Sequence, residues 1–429
     1  MDSKAMTKIQ AVILIGIIAV AAVSGIAVYL LLRAPPSPET IKIGILADLD
    51  MTRGQFIMNG AVLAAEEINS EGGLLGKQIE IVGEDSDVEA NDFDPFIAIT
   101  ALNRLITYHK VDFLIVGGGE DMVIDTAIEH KKIIFGMVSP SDALTQRVAE
   151  DYSRYKYFFR LSVNETTFAA QMADSIVELK DITGFNKFAY LARDVPPIRN
   201  IIESLDSLPE DYGFDLVYRG LYPEGTVDFS SYFAAAEAAG AEVMVPVVIT
   251  QEGIAIVNEW NERQSPMVLW GMNSLVSNQN AWNNTKGKVE HVTVFAASAL
   301  QLGYSATNKT LTTQEAYLNR WGTQPTLQAV ATYDSIRFLL YDALQRAQTI
   351  ETEVVIKNLE QSDIANSLEN DFKFTANHDH YFGVFSEAAA NMMFQWQEGG
   401  TMAIVYPKAI MEETGAIYTY PDWPGPWDK

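Results

Sequence analysis

Three glycines followed by two acids, Gly117-Gly118-Gly119-Glu120-Asp121, form the first segment of this 429-residue chain whose residue types could do chemistry. Glycines let backbone amides approach a ligand closely, so Gly118 and Gly119 could cradle an anion where a helix begins. An ordinary strand-to-helix turn, with Glu120 and Asp121 satisfying the helix dipole, accounts for the same residues. Ser139-Pro140-Ser141-Asp142 offers two hydroxyls and a carboxylate, and Asp194, Gln251 and Asn273 add polar groups further along. Glu120, Asp121 and Asp142 also read as helix caps facing solvent. These are the groups of a site that holds a polar solute through hydrogen bonds.

Other chemistries find no support. The chain has no cysteine, which removes disulfides, thiol nucleophiles and thiolate metal sites together. His378-Asp379-His380 is the one close histidine pair. A zinc site needs a further ligand that is not visible nearby, so surface histidines are the expectation. There is no Gly-x-Ser-x-Gly elbow, phosphate loop or zinc-protease helix. No catalytic residue, metal or cofactor is therefore expected. A net charge of −26 repels phosphate backbones, so no nucleic-acid partner is expected either.

These residues fall at the ends of a repeating strand–helix pattern. Ile41–Ala47, Gln78–Val82, Asp112–Val116 and Ile133–Val138 are β-branched or apolar runs separated by amphipathic helical stretches. The rhythm restarts with strands at Lys187–Leu191, Leu216–Leu221, Glu242–Val248 and Met267–Trp270. Two such series predict two Rossmann-like α/β lobes, each a parallel sheet covered by helices. Ligands of open α/β sheets sit beyond the C-terminal strand ends. That rule selects Ala47–Gln55, Gly117–Met122 and Val138–Asp142 in one lobe, and Arg193-Asp194, Thr250-Gln251 and Gly271–Asn273 in the other. Phe159 and Asn164 lie where the chain crosses between lobes, and Phe159 could cover an apolar part of a ligand.

Ahead of the lobes, residues 11–32 run 22 positions without a charge, after Lys4 and Lys8. A helix of that length spans about 33 Å, enough for a hydrocarbon core. A transmembrane or signal anchor is expected there, with residues 1–10 as a cytoplasmic tail and 33–40 as a Pro-rich spacer. The folded body is then extracytoplasmic, and the three sequons at Asn164, Asn283 and Asn308 agree with that side.

The stretch from Ile41 to Asp87, IKIGILADLD…NGAVLAAEEINSEGGLLGKQIEIVGEDSD, resembles the first strand, helix and second strand of the type I periplasmic binding proteins of the branched-chain amino acid transporter class. IIFGMVSPSDALTQ (133–146), YFFRLSVNE (157–165) and AVATYDSIRFLLYDALQRA (329–347) are similar to the same family. The resemblance implies three crossovers, placed near Leu161, Ala297 and Thr349. Lobe 1 is then 41–161 with 298–349, lobe 2 is 162–297 with 350–415, and 416–429 is a tail. It implies a small-molecule ligand clamped between the lobes and handed to the permease and ATPase subunits of an ABC importer. A sensing ectodomain working with a separate signalling subunit is the alternative. The turns that the resemblance marks for ligand contact coincide with those chosen by the strand-end rule. The expected contacts are Gly118, Gly119, Glu120, Ser139, Ser141, Asp142, Phe159, Asp194, Gln251 and Asn273. Amino-acid binders of the family place hydroxyls in the Gly118 turn for the ligand carboxylate, where Glu120 would repel it. They offer an acid near position 273, where this chain has Asn273. A neutral amide-like, cationic or polyol ligand is therefore expected rather than a plain branched-chain amino acid.

Overall fold

A computed structural model describes residues 40–428, apart from 89–93, 195–197, 200–201, 203–205, 207–212, 249–251, 297–301, 306, 366, 369–371 and 382–391. The apolar segment 11–32 and Gln251 lie outside the described residues, as do the crossover placed near Ala297 and most of the helix expected at 198–208. Among the described residues no helix is long and apolar enough to cross a membrane.

The first lobe is a five-stranded parallel sheet. Its strands are β1 (Thr40–Ala47), β2 (Gln78–Asp85), β3 (Phe113–Gly117), β4 (Ile133–Gly136) and β5 (Phe158–Arg160), in the order β2-β1-β3-β4-β5. β3 and β4 are buried along their whole length, as a sheet covered on both faces requires. The connecting helices are α1 (Thr52–Ser70), α2 (Pro95–Asn103), α3 (Glu120–Glu129) and α4 (Asp142–Glu150). The order reverses between β1 and β3, so the crevice of this lobe opens beside Gly117.

The second lobe follows α5 (Glu165–Thr183). It holds β6 (Lys187–Arg193), β7 (Asp215–Tyr222), α6 (Ser230–Ala238), β8 (Val243–Val248), α7 (Glu252–Arg263), β9 (Val268–Asn273) and β10 (Thr293–Ala296). Their parallel order β10-β9-β8-β6-β7 is extended by two late antiparallel strands, β13 (Met392–Gln397) and β14 (Thr401–Tyr406). One apolar cluster lies on each face, around Trp260 and around Trp270. The C-terminal tail straps this lobe: the Trp423 indole donates to Ser265 O at 2.8 Å and its ring packs on Trp260 at 5.0 Å.

The chain returns to the first lobe for α8 (Thr310–Trp321), α9 (Leu327–Asp334) and the helix that continues from α9 through a π turn to Ala347. The boundary placed at Thr349 needs correction. α10 (Thr352–Glu360) buries Val355, Ile356 and Leu359 in the first lobe's core, not the second's. Gln348, in the left-handed region at φ 53°, ends the preceding helix, and after three intervening residues α10 folds back beside it as a helical hairpin. The short pair β11 (Asp363–Ile364) and β12 (Phe372–Lys373) stays on the same side. Tyr381 N–H still donates to Lys373 O at 2.9 Å, and Met392 already belongs to the core of lobe 2.

Candidate functional site

The hinge is built on a buried arginine. Arg160, the last residue of β5, has no solvent exposure. Its Nε donates to Asp379 at 2.5 Å, its Nη1 to Ser141 O at 2.5 Å and its Nη2 to the Thr145 hydroxyl at 2.9 Å. The segment carrying Asp379 lies against the outer side of β5. Arg160 N–H donates to His378 O at 2.9 Å, and His380 N–H to Arg160 O at 3.0 Å. His378-Asp379-His380 is therefore a buried segment of the hinge, bridged to Arg160, which corrects the expectation of surface histidines. His378 stacks on Phe159 at 4.1 Å, and its Nε2 lies 3.1 Å from a Glu360 carboxylate oxygen. Among the described residues no cluster of three potential metal ligands forms.

That packing also relocates Phe159. It is fully buried between Phe135, Phe374 and His378, a core residue instead of a ligand cover. β5 gains a neighbour on its outer side from 219 residues away, so a position that reads as a sheet edge is enclosed.

The turn after β4 holds the first crossing through its carbonyls. Ser162 Oγ donates to Ser139 O at 3.1 Å, and Glu165 N–H donates to Pro140 O at 3.0 Å. Thr166, in the first turn of α5, donates to Asp142 Oδ2 at 2.5 Å. The Ser139 and Ser141 side chains are half-buried, and Ser141 does not use its hydroxyl to cap α4.

Gly118 and Gly119 sit at φ 134° and 72°, values that a side chain rarely adopts, and Gly119 is the N-cap of α3. The Arg53 guanidinium lies over this turn, 3.8 Å from where a Gly118 Cβ would stand. Glu120 is placed differently from its expected role as a ligand contact. It is 1 % exposed, and its Oε1 accepts from the N–H groups of Met137 (3.1 Å), Val138 (2.7 Å) and Ser139 (3.1 Å). Burial pushes its carboxyl above the usual range, while those amides and Arg53 pull the other way. The inference that position 120 repels an anionic ligand therefore falls, because Glu120 points into the scaffold.

In the second lobe, Asp194 is exposed and paired with Arg199, which holds its carboxyl below the usual range. Asn273, at the end of β9, is 2 % exposed, and its Nδ2 donates to Gly253 O at 2.9 Å. Beside them stand Arg193, which the strand-end rule selects together with Asp194, and Tyr222, which was missed in the sequence. Arg193 ends β6, with its guanidinium 2.5 Å from Glu224, and Tyr222, fully buried, ends β7. The strand-end rule would have reached Tyr222 had β7 been extended by one residue.

Buried polar atoms without a hydrogen bond recur at these ends. They are Glu120 Oε2 and Asp142 Oδ1 in lobe 1, with Arg193 Nε, the Tyr222 hydroxyl and Asn273 Oδ1 in lobe 2. Such groups cost about 1–3 kcal/mol each and are rare in protein interiors. Atoms of the same kind also occur away from the strand ends, at Asn186, Thr293 and Tyr418 among others, so they do not by themselves mark the site.

The chain matches the family model described as periplasmic binding protein over residues 40–399. A curated relative, Leu/Ile/Val-binding protein homolog 7 of Brucella melitensis, is 25 % identical over 409 residues, covering 89 % of this chain and 94 % of that protein. A putative branched-chain amino acid ABC transporter protein from Silicibacter pomeroyi superposes with a TM-score of 0.77 at 19 % identity, covering 91 % of this chain and all of that one (100 %). The branched-chain amino acid transporter substrate-binding protein of Streptococcus pneumoniae, solved with isoleucine, gives 0.67 at 17 % identity, covering 85 % of this chain and 100 % of that chain. With its two α/β lobes, the chain belongs to the periplasmic binding protein family, in the type I class similar to the Leu/Ile/Val-binding proteins.

Proposed function

We propose that this protein captures a small polar solute, an amino acid, amide or related compound, between its lobes and delivers it to an ABC-type importer. The observation that carries this reading is the placement of polar groups at the carboxyl ends of both sheets: the Gly118-Gly119 turn with Arg53 beside it and the half-buried Ser139 and Ser141 on one lobe, Tyr222 and Asn273 on the other. A solute touching both sets stabilises a closed arrangement that neither lobe stabilises alone. On lobe 1, the Gly118-Gly119 turn, the Arg53 guanidinium and the Ser139 and Ser141 hydroxyls favour a carboxylate or another acceptor group. On lobe 2, Asn273 Oδ1 supplies an acceptor for an ammonium or amide N–H, without the charge of an acid. Family membership supports a role without catalysis, and the pneumococcal relative with isoleucine supports a zwitterionic solute within the range. Residues 11–32 would tether the body to the outer face of the membrane.

Native mass spectrometry of the protein as purified, followed by calorimetry with the solute released from it, tests the reading. Ser139→Ala and Ser141→Ala should each weaken that solute about fivefold to tenfold while leaving the melting temperature unchanged. A solute whose binding ignores both substitutions would move the site elsewhere.

A further inference from the structure

The fold sorts the three sequons into two kinds. We propose that Asn283 and Asn308 are acceptors for N-linked oligosaccharides, one on each lobe and both modified before the chain folds, and that Asn164 stays bare.

The atom that takes the sugar is the asparagine Nδ2, so an acceptor site needs an amide that the fold leaves outside and unused. Asn308 stands in the turn that leads into α8. Its side chain is exposed and makes no hydrogen bond among the described residues. Asn283 is also exposed and without a hydrogen bond among the described residues, on the short helix Ala281–Thr285. Ala281 of that helix lies in the core of the second lobe, whereas Thr310, two residues beyond Asn308, is bonded to Leu368 O in the first. Asn164 fails the requirement. It is half-buried at the first crossing, its Oδ1 caps α5 by accepting from Thr167 N–H at 2.6 Å, and its Nδ2 donates to Asp379 Oδ2 at 3.3 Å. A sugar on that nitrogen would stand in the hinge, against the partner of Arg160.

The two threonines date the reaction. The motif requires a hydroxyl two residues after the asparagine. Thr310 is fully buried: its Oγ1 accepts from Thr307 N–H at 2.8 Å and donates to Leu368 O at 2.5 Å. Thr285 is 2 % exposed and donates to Ala281 O at 2.7 Å. In the folded protein neither hydroxyl can be read, so a transferase must meet both sequons in the extended chain as it emerges on the outer side. The donor is an oligosaccharide carried on a polyisoprenyl phosphate. Asparagine Nδ2 forms a bond to the anomeric carbon, whose bond to the phosphate oxygen breaks with its electron pair leaving on that oxygen. One amide proton passes to a base of the transferase. The folded chain then turns both sugars into solvent, away from either core.

The test is glycopeptide mass spectrometry of the full chain purified from its own cells. Sugar is expected on the Asn283 and Asn308 peptides and not on the Asn164 peptide. Asn283→Gln and Asn308→Gln alter only exposed, unbonded amides, so each should raise gel mobility with the circular dichroism unchanged, while Asn164→Gln should leave mobility as it was. Chain folded in a host without the transferase should stay bare when mixed with cell membranes and the lipid-linked donor, whereas a peptide of residues 305–311 should be modified. A bare Asn283 or Asn308 on the native chain overturns the proposal, as does sugar on Asn164 or modification of the folded chain as readily as the peptide. The proposal rests on the extracytoplasmic placement of the lobes. Bare peptides on a chain that external protease cannot reach in intact cells would overturn that placement too, and bare peptides on a chain it digests would overturn the modification alone.

Discussion

Replacing Glu120 by alanine removes one acceptor from three backbone amides at once. Oε1 takes Met137, Val138 and Ser139 N–H at 3.1, 2.7 and 3.1 Å, inside a turn where Met137 is buried and the next two residues half-buried. An unmade buried bond costs about 1–3 kcal/mol, and water can reach part of this turn, so the loss should be about 3 kcal/mol rather than the full sum. Glu120→Gln keeps a carbonyl acceptor and carries no charge to bury, so it should cost less than about 1 kcal/mol. The two variants also separate in pH. Burial holds the Glu120 pKa above the ordinary carboxyl value of 4.5, so the folded state keeps its proton longer than the unfolded chain does. Its stabilisation is complete below 4.5 and is lost as pH rises through the raised folded value. Glu120→Gln should erase that decline. Hydrogen–deuterium exchange of the Ile133–Ser141 peptides reads the effect locally: about 3 kcal/mol is roughly a hundredfold loss of protection in the alanine variant. The reasoning is refuted if exchange is unchanged in Glu120→Ala, or if the glutamine variant is equally damaged. A loss of solute affinity with stability intact would return Glu120 to the cleft.

Three further outcomes are expected. Asp379→Ala removes the nearest carboxylate from the fully buried Arg160 and should destabilise the protein by about 3–5 kcal/mol in denaturant titrations, whereas Arg160→Met combined with Asp379→Leu should recover most of the loss. Gly253→Ala puts a Cβ 2.1 Å from Asn273 Oδ1, so the end of β9 must shift. Solute affinity measured by calorimetry should fall at least about tenfold, with a stability loss of about 1–3 kcal/mol. Burial lowers His380 from 6.5 to about 3, so its stabilisation is complete above 6.5 and is lost as pH falls toward about 3. Melting temperatures should fall across that window, and His380→Gln should flatten the decline.

The regular part of this fold was legible because parallel strands and their helices announce themselves by local periodicity. β1, α1 and β2 follow from IKIGILA, the small-residue helix face and QIEIV, and the strand-end rule then led to Gly118, Ser139, Ser141 and Asn273. What the sequence hid depends on distant partners. Arg160 reads as one charge in YFFRLSVNE, and Asp379 as the middle of a polar histidine turn; only the fold joins them, 219 positions apart. Phe159 and Glu120 misled for the same reason. An aromatic at a strand end and an acid at a helix start look available until a distant segment of the chain covers the first, and three amides from the next turn claim the second. The four-residue β10, TVFA, is too short for any period to show, and it becomes a strand because β9 and β13 flank it.

Small-angle X-ray scattering of the full-length protein, with and without the solute it carries from purification, addresses lobe closure most directly. The scattering curve should show a smaller radius of gyration when the solute is restored, and Ser139→Ala should shift that contraction to higher solute concentration. Identical curves with and without the solute, at concentrations where calorimetry shows the site filled, would contradict capture by closing lobes.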